Sequence, residues 1–281
     1  MRANFLTRWQ KRSISLILTA ILSFSFMVGI AQPSYGQSWL PFLFQGIQVL
    51  QLSNLSNAQE VRLGQQINRQ LIQQGQFRPS RNRNLNAYIN EIGQRLAQTS
   101  QRPDIPYTFQ VVSDRDINAF ATMGGFVYIN QGIIESAETE AELASVIAHE
   151  IAHIVARHSI KQMRDVALSQ GLMGAAGLRE STMVQLGVQL AFNLPNSREA
   201  ELEADQLGLR NLQRAGYAPI GMVAFMQKLL KRGGGTPEIL NTHPDTRNRI
   251  VALQRKIDPN TAYDGEGLDP QVYRATIRSL R

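Results

Sequence analysis

The sequence predicts an α+β domain, mostly helical with one small β-sheet, and three observations point there. Apolar residues recur at helical spacing in several separate stretches. Two short runs rich in β-branched and aromatic residues, "YTFQVVS" from Tyr107 and "FVYIN" from Phe126, read as strands. Over 281 residues, 43% hydrophobic and 18% charged residues are proportions that sustain a buried core.

The first segment reads as an export signal. Arg2, Arg8, Lys11 and Arg12 precede an uncharged run from Ile14 to Ala31, with small residues at Gly29 and Ala31 and again at Ser34 and Gly36. Residues 1–36 are therefore expected to be a signal peptide cleaved after either pair, with an uncleaved anchor as the alternative. Either way the body is carried across a membrane, to the periplasm or to a membrane surface facing it. With no cysteine, the chain has no structural disulfide and no residue for lipoprotein attachment. The net charge of +7 owes four residues to this leader. The remainder is a mild excess without basic blocks, so nucleic acid is not an expected partner. No later stretch approaches about 18 uninterrupted apolar residues, so the body is expected to be soluble or peripheral.

Residues 37–56 form an apolar lead-in containing "SWLPFLFQGIQVLQL". Packing on the body is the simplest expectation, and peripheral membrane contact through residues 14–52 is the other. Residues 57–281 read as one domain. Val61, Leu63, Ile67, Leu71 and Ile72 mark its first helix, "RPSRNRN" from Arg78 a loop, and Leu85, Ile89, Ile92 and Leu96 a second helix to about Ala97. The two strands follow, the second entered through the tight turn of Gly124-Gly125. A turn that frees a sheet edge would let the edge bind an extended peptide through its backbone.

A third helix is expected to begin near Thr139, which has capping-box spacing to Glu142. Leu143, Val146, Ile147, Ile151, Ile154 and Val155 give it a buried stripe. It carries "AHEIAHIVARH", residues 148–158, with three of the chain's four histidines. His149 and His153 are one turn apart on one face, as two ligands of a single zinc ion must be. Glu150 is rotated by about 100° from His149. It can reach a water on the metal without becoming a ligand, which suits a general base.

A catalytic zinc takes three protein ligands and keeps one position for water. Ala156 and Ser159 stand where another class of such sites has a glycine and a third histidine, and His158 lies on a different face, so it is expected to support the structure or to stand behind a ligand rather than to ligate. The third ligand should be an acid on a later helix: Asp165, Glu180, Glu199, Glu201, Glu203 and Asp205 are the candidates. "SREAELEADQLGL" from Ser197 reads as a capped helix start. In it Glu201 and Asp205 share a face and Glu203 points away, so one acid could ligate while another supports. "GLMGAAG", residues 171–177, reads either as a close helix packing or as a mobile flap over the cleft.

"HEIAH", then "SREAELEAD", then "THPDTRNRI" resemble the zinc metallopeptidase family that includes the CAAX prenyl proteases, HtpX, BepA and LoiP, from about Val61 to Leu253. The resemblance implies a zincin-like fold with the sheet beside the active-site helix. It implies that His149, His153 and Glu201 bind one Zn2+, that Glu150 is the catalytic base, and that Asp205 orients a ligand or donates a proton. "NAFATMGGFVYIN" from Asn118 matches the family's strand beside the cleft. The several membrane spans and the helical repeats that some members carry are missing here. His243 stands in the family's T-H-P setting, on a loop before a helix expected to start at Pro244, and is expected either as a regulatory fourth ligand that restrains the metal or as a histidine that caps the helix or binds substrate.

The expected function is therefore zinc-dependent endoproteolysis of unfolded or misassembled proteins outside the cytoplasm, in envelope protein quality control. The alternative is a chaperone-like binding module with a latent zinc site, which would have no use for Glu150.

Overall fold

The computed structural model describes residue 52 and residues 55–171, 180–193, 195–232 and 236–280. The expected signal or anchor, most of the lead-in and the small-residue stretch beyond Gly171 lie outside these residues. Of the lead-in, Leu52 is buried against the second of two apolar clusters.

Helix α1 (Asn57–Gln73) starts at a complete capping box, in which the Ser56 hydroxyl accepts the Gln59 N–H and the Gln59 side chain accepts the Ser56 N–H. Helix α2 (Arg83–Thr99) starts at Asn82, whose side chain accepts the Leu85 N–H. Both expected helices form, α2 with a residue or two more at each end.

Strands β1 (Thr108–Val112), β2 (Ala119–Thr122) and β3 (Phe126–Asn130) make one mixed sheet in the order β1-β3-β2. β1 runs parallel to β3 and β2 antiparallel. The stretch read from Asn118 as one strand beside the cleft is thus a hairpin, folded through a 3-10 turn at Met123–Gly125. Gly124 there has φ 78, open to glycine at no cost. β3 is buried throughout because both faces of the sheet are covered. Val127 and Ile129 face a cluster shared with α2 and the later helices, while Phe126 and Tyr128 face one shared with α1.

After α3 (Gln131–Ser136) comes α4 (Glu140–Val155), capped by Thr139. The capping box expected there is half formed. Thr139 accepts the Glu142 N–H, but the Glu142 carboxylate takes the N–H of Glu138 and the ammonium of Lys228 instead of returning to Thr139. The predicted apolar stripe of α4 is exceeded, since every residue from Ala141 to Ile154 is buried. A helix enclosed on all sides must be apolar all round, and its polar residues must then find partners.

Arg157, at φ 57 and ψ 36, breaks the chain between α4 and α5 (His158–Ser169). Helices α6 (Glu180–Asn193), α7 (Arg198–Arg214), α8 (Ile220–Lys231), α9 (Glu238–Thr242), α10 (Thr246–Lys256) and α11 (Pro270–Ser279) complete the described chain. α7 packs closely on α4 because Gly208 has no side chain: a Cβ there would lie 3.2 Å from the Ala148 carbonyl oxygen and from the backbone of His149. The residues before His243, expected to be loop, form the short α9. The last helix start is also displaced: α10 begins at Thr246 behind Asp245, which adopts φ 64, and not at Pro244.

Among the described residues, no helix is long and apolar enough to cross a membrane.

Candidate metal centre

Four elements deliver the site. α4 carries His149, Glu150 and His153, and α7 carries Glu201 and Asp205. The residue ending α9 is His243, and α10 carries Arg249. All are buried.

One donor atom from each of His149, His153, Glu201 and His243 lies within 4.8 Å of the other three. The Nε2 atoms of His149 and His153 are 3.0 Å apart. They lie 3.3 and 3.4 Å from the two Glu201 oxygens. His243 Nδ1 is 3.1 Å from Glu201 Oε1 and 3.3 Å from His149 Nε2. Nitrogen and carboxylate donors converging at this separation are the set a tetrahedral divalent ion takes, so the residues fit a metal ion.

Glu150 stands beside this set without joining it. Its Oε1 is buried with no hydrogen-bond partner, 3.6 Å from His243 Nε2. Burial raises its pKa above the ordinary carboxylate value, although His243 and His149 oppose the rise. Glu201 shows the reverse balance. Burial penalises its charge, but the three surrounding imidazoles outweigh that and hold it far below the usual range. For His149 burial opposes charge, yet hydrogen bonds to Asp205 and Glu201 prevail and raise its pKa to about 9. His153 has Glu201 as its one carboxylate partner, and burial takes it down to about 3.

Behind the donors is a second layer. Asp205 Oδ1 accepts from His149 Nδ1 at 3.0 Å. Arg249 grips Asp205 with two nitrogens and reaches Glu201 Oε2 at 2.6 Å and the His243 carbonyl at 3.2 Å. His158, beyond the break at Arg157, is buried with its Nδ1 2.8 Å from His153 Nδ1 and its Nε2 3.1 Å from Glu203.

Of the six acids considered in the sequence, Glu201 and Asp205 reach this centre. Asp165 pairs with its neighbour Arg164, Glu180 bonds Gln66, and Glu199 is exposed. Glu203 touches the centre only through His158. Arg249 escaped the sequence reading. Its signal is its slot: Thr246, Arg249, Ile250 and Leu253 form the buried face of α10 at helical spacing, and an arginine in such a face needs buried acids.

Two openings flank Glu150. One is a cleft of about 600 Å³ with its solvent mouth, running from β2 (Phe120, Ala121, Thr122) past His153 to α6. The other, between α4, α8 and α9, is lined by Met222, Phe225, Met226, Leu229, Ile239 and Leu240. Among the described residues, no strand pairs with the side of β2 that faces away from β3. Asn130 N–H donates to Asn118 O, so the alternation of the antiparallel ladder turns the amide groups of Ala119 and Ala121 away from β3.

Comparison with known proteins agrees with this geometry. Residues 83–257 match Peptidase family M48. The chain is 33% identical over 261 residues to the beta-barrel assembly-enhancing protease of Escherichia coli (strain K12), an alignment covering 87% of this chain and 53% of that protein. It is 30% identical over 173 residues to the mitochondrial metalloendopeptidase OMA1 of Schizosaccharomyces pombe, covering 59% of this chain and 51% of that one. To the metalloprotease YcaL of Escherichia coli (strain K12) it is 26% identical over 181 residues, covering 60% and 71%. The chain thus spans about half the length of the first two relatives.

Proposed function

The chain belongs to peptidase family M48, and on that premise we propose that it is a zinc-dependent metalloendopeptidase that cleaves unfolded or misassembled proteins outside the cytoplasm. The observation that carries the reading is the four-donor set within 4.8 Å, with the unpartnered Glu150 oxygen beside it.

His149, His153 and Glu201 would hold the ion, with His243 as a displaceable fourth donor. When bound, zinc supplies Lewis-acid polarisation and lowers the pKa of water. Glu150 Oε1 takes a proton from the attacking water and hands it to the departing amide nitrogen, a role that its unpartnered position beside the donor set leaves open. Asp205 orients His149 through Nδ1, and Arg249 keeps Asp205 and Glu201 charged.

The outward amide groups of Ala119 and Ala121 would pair with an extended substrate, which reads backbone and little sequence. Only an unfolded or unassembled segment offers free backbone of that kind. The apolar opening beside Glu150 would accept a hydrophobic side chain, which such substrates expose. An envelope quality-control role outside the cytoplasm draws support from the name of the relative that acts in beta-barrel assembly and from the export signal expected at residues 1–36.

The test is cleavage of casein by the full chain, with Glu150→Gln as the control. Cleavage that persists equally in both proteins would refute the mechanism.

A further inference from the structure

We infer that His158 and Glu203 are positioning residues that fix the tautomer of His153 and so set how tightly the centre holds its metal; this rests on the metal reading above. His158 Nδ1 lies 2.8 Å from His153 Nδ1, and His158 Nε2 lies 3.1 Å from Glu203 Oε2. Each contact needs one donor and one acceptor. An ionised carboxylate can only accept, and Lys161 Nζ, 3.5 Å from the same oxygen, favours that form. His158 therefore donates from Nε2, its Nδ1 carries the lone pair, and the proton between the two rings belongs to His153 Nδ1. A neutral imidazole has one N–H, so His153 Nε2, which faces His149 and Glu201, keeps its lone pair for a metal. The opposite tautomer would put a proton where the ligand must be.

His149 is held differently, by direct contact of its Nδ1 with the buried Asp205. For His153 the carboxylate stands one ring further out, and its side chain is 49% exposed. A surface acid that is not a ligand thereby acts on the metal through two imidazoles. The relay exists because of Arg157. In a continuous helix, a residue five positions beyond His153 would point about 140° away from it, and the left-handed residue turns His158 back onto His153.

The test measures the zinc affinity of the full chain by competition with a chromogenic chelator. His158→Phe keeps a buried ring but offers no acceptor, and is expected to lose about 10- to 100-fold in affinity. His158→Gln, whose carbonyl can accept from His153 Nδ1, is expected to recover most of that loss. Glu203→Ala should lose several-fold while still binding one zinc. Equal losses in His158→Phe and His158→Gln, or none in either, would overturn the inference. If His158→Phe does not fold, long-range proton–nitrogen NMR of the zinc-loaded wild type decides. The expected protons are on Nδ1 of His153 and Nε2 of His158, and a proton on Nδ1 of His158 overturns the relay. A wild type that takes up no zinc sinks the metal reading itself, which separates that failure from this one.

Discussion

Arg249 clamps Asp205 at two points, Nε to Oδ2 at 2.8 Å and Nη2 to Oδ1 at 2.7 Å, with both side chains buried. The same guanidinium touches Glu201 on α7 and the His243 carbonyl ahead of α10. One side chain therefore holds the two later pieces of the site in register on α4.

Arg249→Leu leaves two buried carboxylates without their cation. It is expected to destabilise the metal-free protein by about 3–5 kcal/mol, read from the urea midpoint in the presence of chelator. Arg249→Lys keeps the charge but cannot form the fork, so it should recover only part of the loss. A midpoint equal to wild type in the leucine variant would show that the clamp contributes nothing.

His149→Ala, His153→Ala and Glu201→Ala are each expected to lose the bound zinc, whereas Glu203→Ala and Glu199→Ala retain one ion per chain. Elemental analysis of the purified variants checks this. Full zinc in Glu201→Ala would mean that the carboxylate ligand has been misassigned.

Glu150→Gln removes the proposed proton carrier and keeps the shape. Zinc content and thermal midpoint should stay near wild type, and casein cleavage should fall by at least about 100-fold, the low end for a lost general base. A parallel loss of zinc would reassign Glu150 to the ligands.

His243→Ala frees the fourth donor position. The variant is expected to keep its zinc and to cleave unfolded protein several-fold faster at the outset, because water no longer competes with an imidazole 3.1 Å from Glu201. Slower cleavage with zinc retained would make His243 a substrate contact and end the restraint idea.

Glu60 is buried on α1 and meets Arg102 Nη2 at 2.7 Å, Arg157 Nε at 3.2 Å and the Gly124 N–H at 3.4 Å. It ties α1 to the break after α4 and to the turn between β2 and β3. Glu60→Ala is expected to cost about 3 kcal/mol, as for one partner removed from a buried pair, and to raise the KM for casein more than it lowers kcat. A change confined to stability would limit Glu60 to a structural role.

Much of this protein is written locally. The i, i+4 pair of His149 and His153, Glu150 between them and the caps at Thr139 and Ser197 depend on helix geometry and neighbouring residues, so a reading along the chain finds them. The strands at β1 and β3 are legible for the same reason. The hairpin hidden in "NAFATMGGFVYIN" is less so, because four residues of β2 carry too little pattern and only the pairing with β3 defines its register.

Tertiary structure alone decided the rest. Periodicity put Glu201 and Asp205 on one face of α7, but it could not say which of six acids would meet α4. Gly208 and the close approach it permits settled that. Arg249 looked like any charge in a polar helix until its neighbours were known to be buried acids. Helix spacing separates His158 from the face of His153, and only the left-handed conformation of Arg157 brings it behind that ligand candidate. Local spacing determines which side chains share a surface. Which surfaces meet depends on contacts between residues some 50 to 100 positions apart, such as Asp205 with His149 and Arg249 with His149, and those are fixed by packing the whole domain.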